Sequence, residues 1–155
     1  MNHLDFDIMS LEIIRGNILK AIEPLDRDAL NFIPKGFKNS IFWNAAHVLA
    51  TQQLLVYANS NEAPIIDQTI IDRYKKGTAP TLDYASTEEI AVVKELLPQI
   101  PALTKKDYEN GKFKGYNAYK TSFGTPLNTV EEAIRFNNYH EGLHFGYILA
   151  LKHTL

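Results

Sequence analysis

One stretch constrains the fold more than any other. From Ile41 to about Asn59, apolar residues cover most of a helical circumference: Ile41, Phe42, Trp43, Ala45, Val48, Leu49, Leu54, Leu55 and Val56. A helix with so little polar face is buried on most sides. Ser40 stands before it as an N-cap, and Asn59-Ser60-Asn61 and Pro64 end it. A central helix of this kind needs other elements packed round it. The rest of the chain offers more helices.

Apolar residues at three- and four-residue steps predict a first helix from about Asp5 to Ile22, stopped by Pro24. Asn31 to Asn39 carries Pro34 and Gly36 and reads as loop, with Phe32, Ile33 and Phe37 packing inward. Ile65 to Tyr74 reads as a short helix, and Leu82 to Ala85 as loop. Ser86-Thr87-Glu88-Glu89 matches a capping box and opens a helix to about Leu97. Pro98 and Pro101 are expected to interrupt or end it, since proline lacks the amide donor and clashes with the preceding turn. Asn110 to Asn128 reads as a structured loop, within which a short hairpin is one reading. Thr129-Val130-Glu131-Glu132 is a second capping-box match and opens the last helix, Val130 to about His153.

Four principal helices without a strand series predict an all-α protein, a four-helix bundle forming one domain over residues 1–155. The connection from Asn59 to Ser86 is long for a tight antiparallel hairpin. It is expected to cross the bundle and set the next long helix parallel to the apolar one. That apolar helix carries more hydrophobic surface than a four-helix monomer needs to hide, so a homodimer through its outer face is expected.

Composition narrows the function. At 155 residues the chain can bury a core without staples. A net charge of -2 argues against nucleic-acid binding and against a polybasic membrane contact. No apolar run has the length of a membrane span, and Asp5, Asp7 and Glu12 leave no signal-peptide core, so a soluble cytoplasmic protein acting on a small molecule is expected. With no cysteine, disulfides, thiolate ligands and a cysteine nucleophile are excluded, and any thiol chemistry needs an external thiol.

The chemistry then falls to histidine. His140 and His144 stand four apart on the last helix, which stacks two imidazoles on one face. His47 lies among apolar neighbours on the buried helix. Facing helices of a bundle are where metal sites are built, and three neutral imidazoles leave further positions on a metal open. His3 is terminal and His153 lies on another face, so neither is a ligand candidate. His140-Glu141-Gly142-Leu143-His144 also matches the H-E-x-x-H pattern of zinc proteases. Only eleven residues follow His144, and Tyr147 and Ala150 occupy the Gly and His positions of the longer motif. An upstream third ligand, His47, fits better than a protease. Glu141 stands about 100° round the helix from His140. It reads as a group supporting the ligands, a base, or a solvated glutamate.

Ile41-Phe42-Trp43-Asn44-Ala45-Ala46-His47 and His140-Glu141-Gly142-Leu143-His144-Phe145-Gly146-Tyr147-Ile148 resemble the DinB/YfiT-like superfamily, as do Lys76-Gly77-Thr78-Ala79-Pro80 and Tyr119-Lys120-Thr121-Ser122-Phe123-Gly124 between them. The resemblance spans essentially the whole chain. It implies a four-helix bundle with a crossover, commonly a homodimer. It implies a divalent metal, often nickel or zinc, held by three histidines that map onto His47, His140 and His144. Characterised relatives include transferases and isomerases that use low-molecular-weight thiols such as bacillithiol, mycothiol or glutathione, and others are named only as metal-dependent hydrolases. A thiol transferase or hydrolase is therefore expected, against the alternative of a non-catalytic metal-binding or stress-related interaction module. Tyr147 stands where relatives often carry glutamine, which bears on substrate contact.

Overall fold

The computed structural model describes residues 3–80 and 83–155, so the expected loop position Leu82 lies outside the described residues. The helices are α1 (His3–Ile22), α2 (Arg27–Asn31), α3 (Ile41–Gln52), α4 (Gln68–Tyr74), α5 (Thr87–Glu109) and α6 (Val130–Lys152). A two-stranded antiparallel hairpin, β1 (Tyr119–Lys120) with β2 (Pro126–Leu127), stands between α5 and α6. The protein is all-α apart from this hairpin.

Side-chain pairings fix the directions of the four long helices. Asp7 with Arg135 at 3.0 Å, Arg15 with Glu141 at 2.7 Å, and Lys152 Nζ donating to the Ala21 carbonyl at 2.7 Å run α1 parallel to α6. Asp5 with Lys105 and Glu23 with Lys94 run α1 antiparallel to α5. Gln52 with Thr104 and Tyr57 with Asp107 run the α3 segment parallel to α5. The crossover expected from the length of the connection is therefore present. It carries α4 over the outside of α3, and its far end is tied to α2. There Asn31 exchanges two hydrogen bonds with the backbone of Ala85, and Arg27 Nε donates to the same carbonyl.

Ile41 to Ala50 are all buried within one chain. Helices α2, α4, α5 and α6 all pack on α3. The outer apolar face on which a homodimer was expected is thus covered inside the monomer, and that argument for dimerisation falls.

Three local expectations need correction. The apolar helix stays α-helical only to Gln52; Gln53–Tyr57 form a π-helical turn and Ala58–Ser60 a 3₁₀ turn, closed by Asn61 in the left-handed region at φ 60°. Gln53 Oε1 leaves the helix to accept from the Ile65 amide at 2.9 Å. Helix α5 does not end near Leu97 but runs unbroken through Pro98 and Pro101 to Glu109. Its buried residues Ile90, Val93, Leu97, Ile100 and Thr104 form one stripe, and a break at Pro98 would throw Ile100 and Thr104 out of phase with the core. Both capping boxes form only by half. Ser86 and Thr129 accept from the amides of Glu89 and Glu132 as expected. The return bonds go elsewhere: Glu89 takes the Tyr74 hydroxyl, and Glu132 takes the Asn128 amide.

The core is layered. One apolar cluster holds Ile18, Ile22, most of α3, the first half of α5, Ile148 and Leu151. A second holds Ile8, Leu11, Leu55, Val56, Tyr57, Val130, Ala133 and Ile134. Between them lies a belt of buried polar residues, one or more from each long helix: Arg15, Gln52, Thr104 and Glu141. The histidines of interest stand at the level of this belt.

Candidate metal centre

His47 comes from α3, and His140 and His144 from α6. The four-residue spacing stacks the last two with ring centroids 4.5 Å apart, and the antiparallel packing of α3 brings His47 to 5.1 Å and 4.6 Å from them. One ligand nitrogen of each lies within 4.8 Å of the others, so the group could hold a metal ion. His3 and His153 are exposed and stand outside this group, as expected.

Two of the rings are set by acceptors behind them. His47 Nδ1 donates to the Tyr74 carbonyl at 2.5 Å. His144 Nδ1 donates to Asn44 Oδ1 at 2.7 Å, and Asn44 is itself held by its amide nitrogen, which donates to the Ser40 carbonyl at 2.8 Å. A carbonyl only accepts, so in each ring the proton sits on Nδ1 and the lone pair on Nε2. That tautomer turns the Nε2 lone pair toward the cluster, and partners behind the rings fix it. Trp43 stacks on His47 at 4.5 Å, while Thr51 donates to its Nε2 at 3.2 Å.

The Nε2 atoms of His140 and His144 face each other at 3.1 Å. Burial pushes the pKa of His140 down to about 2 and that of His144 down to about 3, and neighbouring imidazoles push both the same way. Burial also lowers His47, against the pull of its bond to Tyr74. All three are neutral at pH 7. His140 Nδ1 is buried without a partner among the described residues. Three neutral imidazoles with converging nitrogens form a donor set suited to zinc, nickel, copper or iron.

Glu141 is neither solvated nor free to act as a base. It is fully buried, and both its oxygens accept from Arg15, Oε2 from Nε at 3.0 Å and Oε1 from an Nη at 2.7 Å. The protease reading of His140-Glu141-Gly142-Leu143-His144 loses its general base. Tyr147 is turned away as well, packing edge-to-face on Phe37 at 5.8 Å.

A cavity of about 330 Å³ opens on the three histidines. Leu54, Leu55, Phe136 and Leu143 form its helical walls, and the β1–β2 hairpin supplies Tyr119, Thr121, Ser122 and Phe123. Leu54 and Leu55, neighbours on the π-helical turn, both reach it.

Reading the sequence assigned no role to Asn44, Thr51 or Tyr74; the short hairpin considered within Asn110 to Asn128 is present, but its place on the cavity wall was not foreseen. Asn44 and Thr51 had a visible signal. They stand three before and four after His47, a polar stripe on an otherwise apolar helix. Tyr74 contributes a backbone carbonyl, which no residue type announces.

No curated protein matches the chain. A family model described as the DinB superfamily matches residues 10–148, a span that takes in all three histidines, the crossover and the hairpin. By that match and by its crossed helical fold, the chain belongs to the DinB superfamily.

Proposed function

We propose that His47, His140 and His144 hold a divalent ion, zinc or nickel, and that the chain is one DinB-like domain acting as a metal-dependent enzyme on a small molecule, a low-molecular-weight-thiol S-transferase or a hydrolase. The observation that carries this reading is the convergence of three neutral imidazoles on the floor of a cavity. A structural site is closed by four protein ligands, whereas here three face open space. The ion would supply Lewis acidity, lowering the pKa of a thiol or water beside it. The chain's own part is orientation. Tyr74 and Asn44 hold two rings in one tautomer, and Leu54, Phe136 and Leu143 give the cavity apolar walls.

The test is elemental analysis of natively expressed protein, with His47→Gln and His144→Gln beside it and circular dichroism on each. Both variants should lose the metal and keep their helicity. Full metal in His47→Gln with loss in His144→Gln would reduce the site to a helical pair. Conjugation of bacillithiol, glutathione or coenzyme A to an electrophile should run faster with loaded than with metal-stripped protein. Metal retention without any such rate, and without hydrolysis, would favour a non-catalytic metal-binding module.

A further inference from the structure

We propose that Lys76 is an anion anchor built into the rim of the histidine cavity, so that the ligand is a small molecule with a carboxylate at one end and an apolar body. The proposal rests on that cavity being the binding site.

The position of Lys76 is fixed from both sides. Two residues before it, the Tyr74 carbonyl accepts from His47. Two residues after it, Thr78 Oγ1 accepts from the Trp43 indole at 3.2 Å, and Trp43 stacks on His47. Between these ties the chain makes a tight turn, with the Thr78 amide donating to the Lys75 carbonyl at 3.2 Å and Gly77 at φ 89°. That left-handed conformation is one a side chain would strain. The crossover thus delivers one lysine to the mouth of the cavity on a rigid loop.

Among the described residues nothing answers the charge there. Lys76 lines the cavity, and no aspartate or glutamate does so among the described residues. Lys76 makes no ion pair or hydrogen bond among the described residues, whereas the adjacent Lys75 is paired with Asp72 at 2.8 Å. A cation facing an acid-free cavity selects an anion. The remaining walls set the rest of the ligand. Leu54, Phe123, Phe136 and Leu143 offer an apolar channel, and the volume of about 330 Å³ is at the small end of ligand pockets. A carboxylate seated on Lys76 directs the other end of such a molecule along these walls to the histidines.

Calorimetric titration with three probes of one shape tests this: 4-phenylbutyrate, 4-phenylbutanol and 4-phenylbutylamine, each on metal-free and on zinc-loaded protein. The wild type should prefer the carboxylate over the alcohol in both forms. Lys76→Met should weaken the carboxylate about fivefold, the range of an exposed ion pair, and leave the alcohol unchanged. Lys76→Glu should turn the preference toward the amine. Leu143→Trp, which fills the cavity from an exposed position, should weaken all three. The proposal is overturned if the wild type shows no preference for the carboxylate or binds no probe. It is equally overturned if Lys76→Met weakens all probes alike, or if Leu143→Trp binds as before. Zinc content of the Lys76 variants should match the wild type. If the wild type takes up no metal while the metal-free preference persists, the enzyme reading fails and the anchor stands.

Discussion

Asn44 does two jobs with one amide. Its nitrogen is spent on the Ser40 carbonyl at the start of α3, so its oxygen is left for His144. Asn44→Leu is close in size and removes that acceptor. Metal affinity should then fall about 10- to 100-fold in a competition titration with a chelating dye, with the circular dichroism unchanged. The buried imidazoles also set a pH dependence in the metal-free protein. The pKa values of His140 and His144 in the fold, about 2 and about 3, lie below the ordinary 6.5 that the unfolded chain regains. The unfolded state therefore takes up protons that the folded state refuses. Stability from this source is full above pH 6.5 and lost as the pH falls toward the folded values, by about 1.4 kcal/mol per pH unit per histidine. Urea midpoints at pH 7.5 and pH 5 should differ accordingly, and equal midpoints would mean that the rings are solvated. The histidines themselves were readable from the sequence, because an i, i+4 pair and a lone imidazole on an apolar helix are features of residue type. Their orientation was not, since half of it comes from a backbone carbonyl in another element.

At the scale of the element, periodicity found every long helix and misjudged what happens inside two of them. In α3 the apolar residues surround the axis, so the pattern carries no phase and the wider turn at Gln53–Tyr57 leaves no mark on it. In α5 the prolines were read as stops because local propensity was weighed alone, while Ile90, Val93, Leu97 and Ile100 hold one continuous buried stripe. Pro98 is exposed on that helix, and its missing amide leaves the Lys94 carbonyl without its usual partner. Pro98→Ala should restore the bond and stabilise the protein by about 1 kcal/mol or more, read as a rise in Tm. A fall would mean that the proline ring is doing the packing. Helix α2 was missed outright, being only five residues long, too short to show a period.

In the molecule as a whole, the polar belt separates two apolar clusters and links the four long helices. Arg15 is its centre, donating to Glu141 of α6 and to Gln52 of α3, and Gln52 passes the chain on to Thr104 of α5. Burial pushes the Glu141 carboxyl above its ordinary value while Arg15 pulls it back. Arg15→Ala would strand that carboxylate and should cost about 3–5 kcal/mol in chemical denaturation. The double variant Arg15→Met, Glu141→Leu removes both charges and should cost far less. Equal losses in the two would show that the pair contributes by packing alone. The crossover was foreseeable from the length of one connection. The belt was not, because Arg15 and Glu141 each sit among ordinary helical neighbours and acquire meaning only across 126 positions of sequence.

Asn44 and His144 meet across 100 positions of a chain that has no cysteine to tie distant segments covalently. An ion shared by His47 and His144 would be such a tie, but a removable one, present only in the folded chain. Its contribution grows with the free ion, by about 1.4 kcal/mol for each tenfold excess over the dissociation constant. The survival of this protein against proteases would then follow the supply of metal around it. Metal-stripped protein should then be cut faster than loaded protein in limited proteolysis.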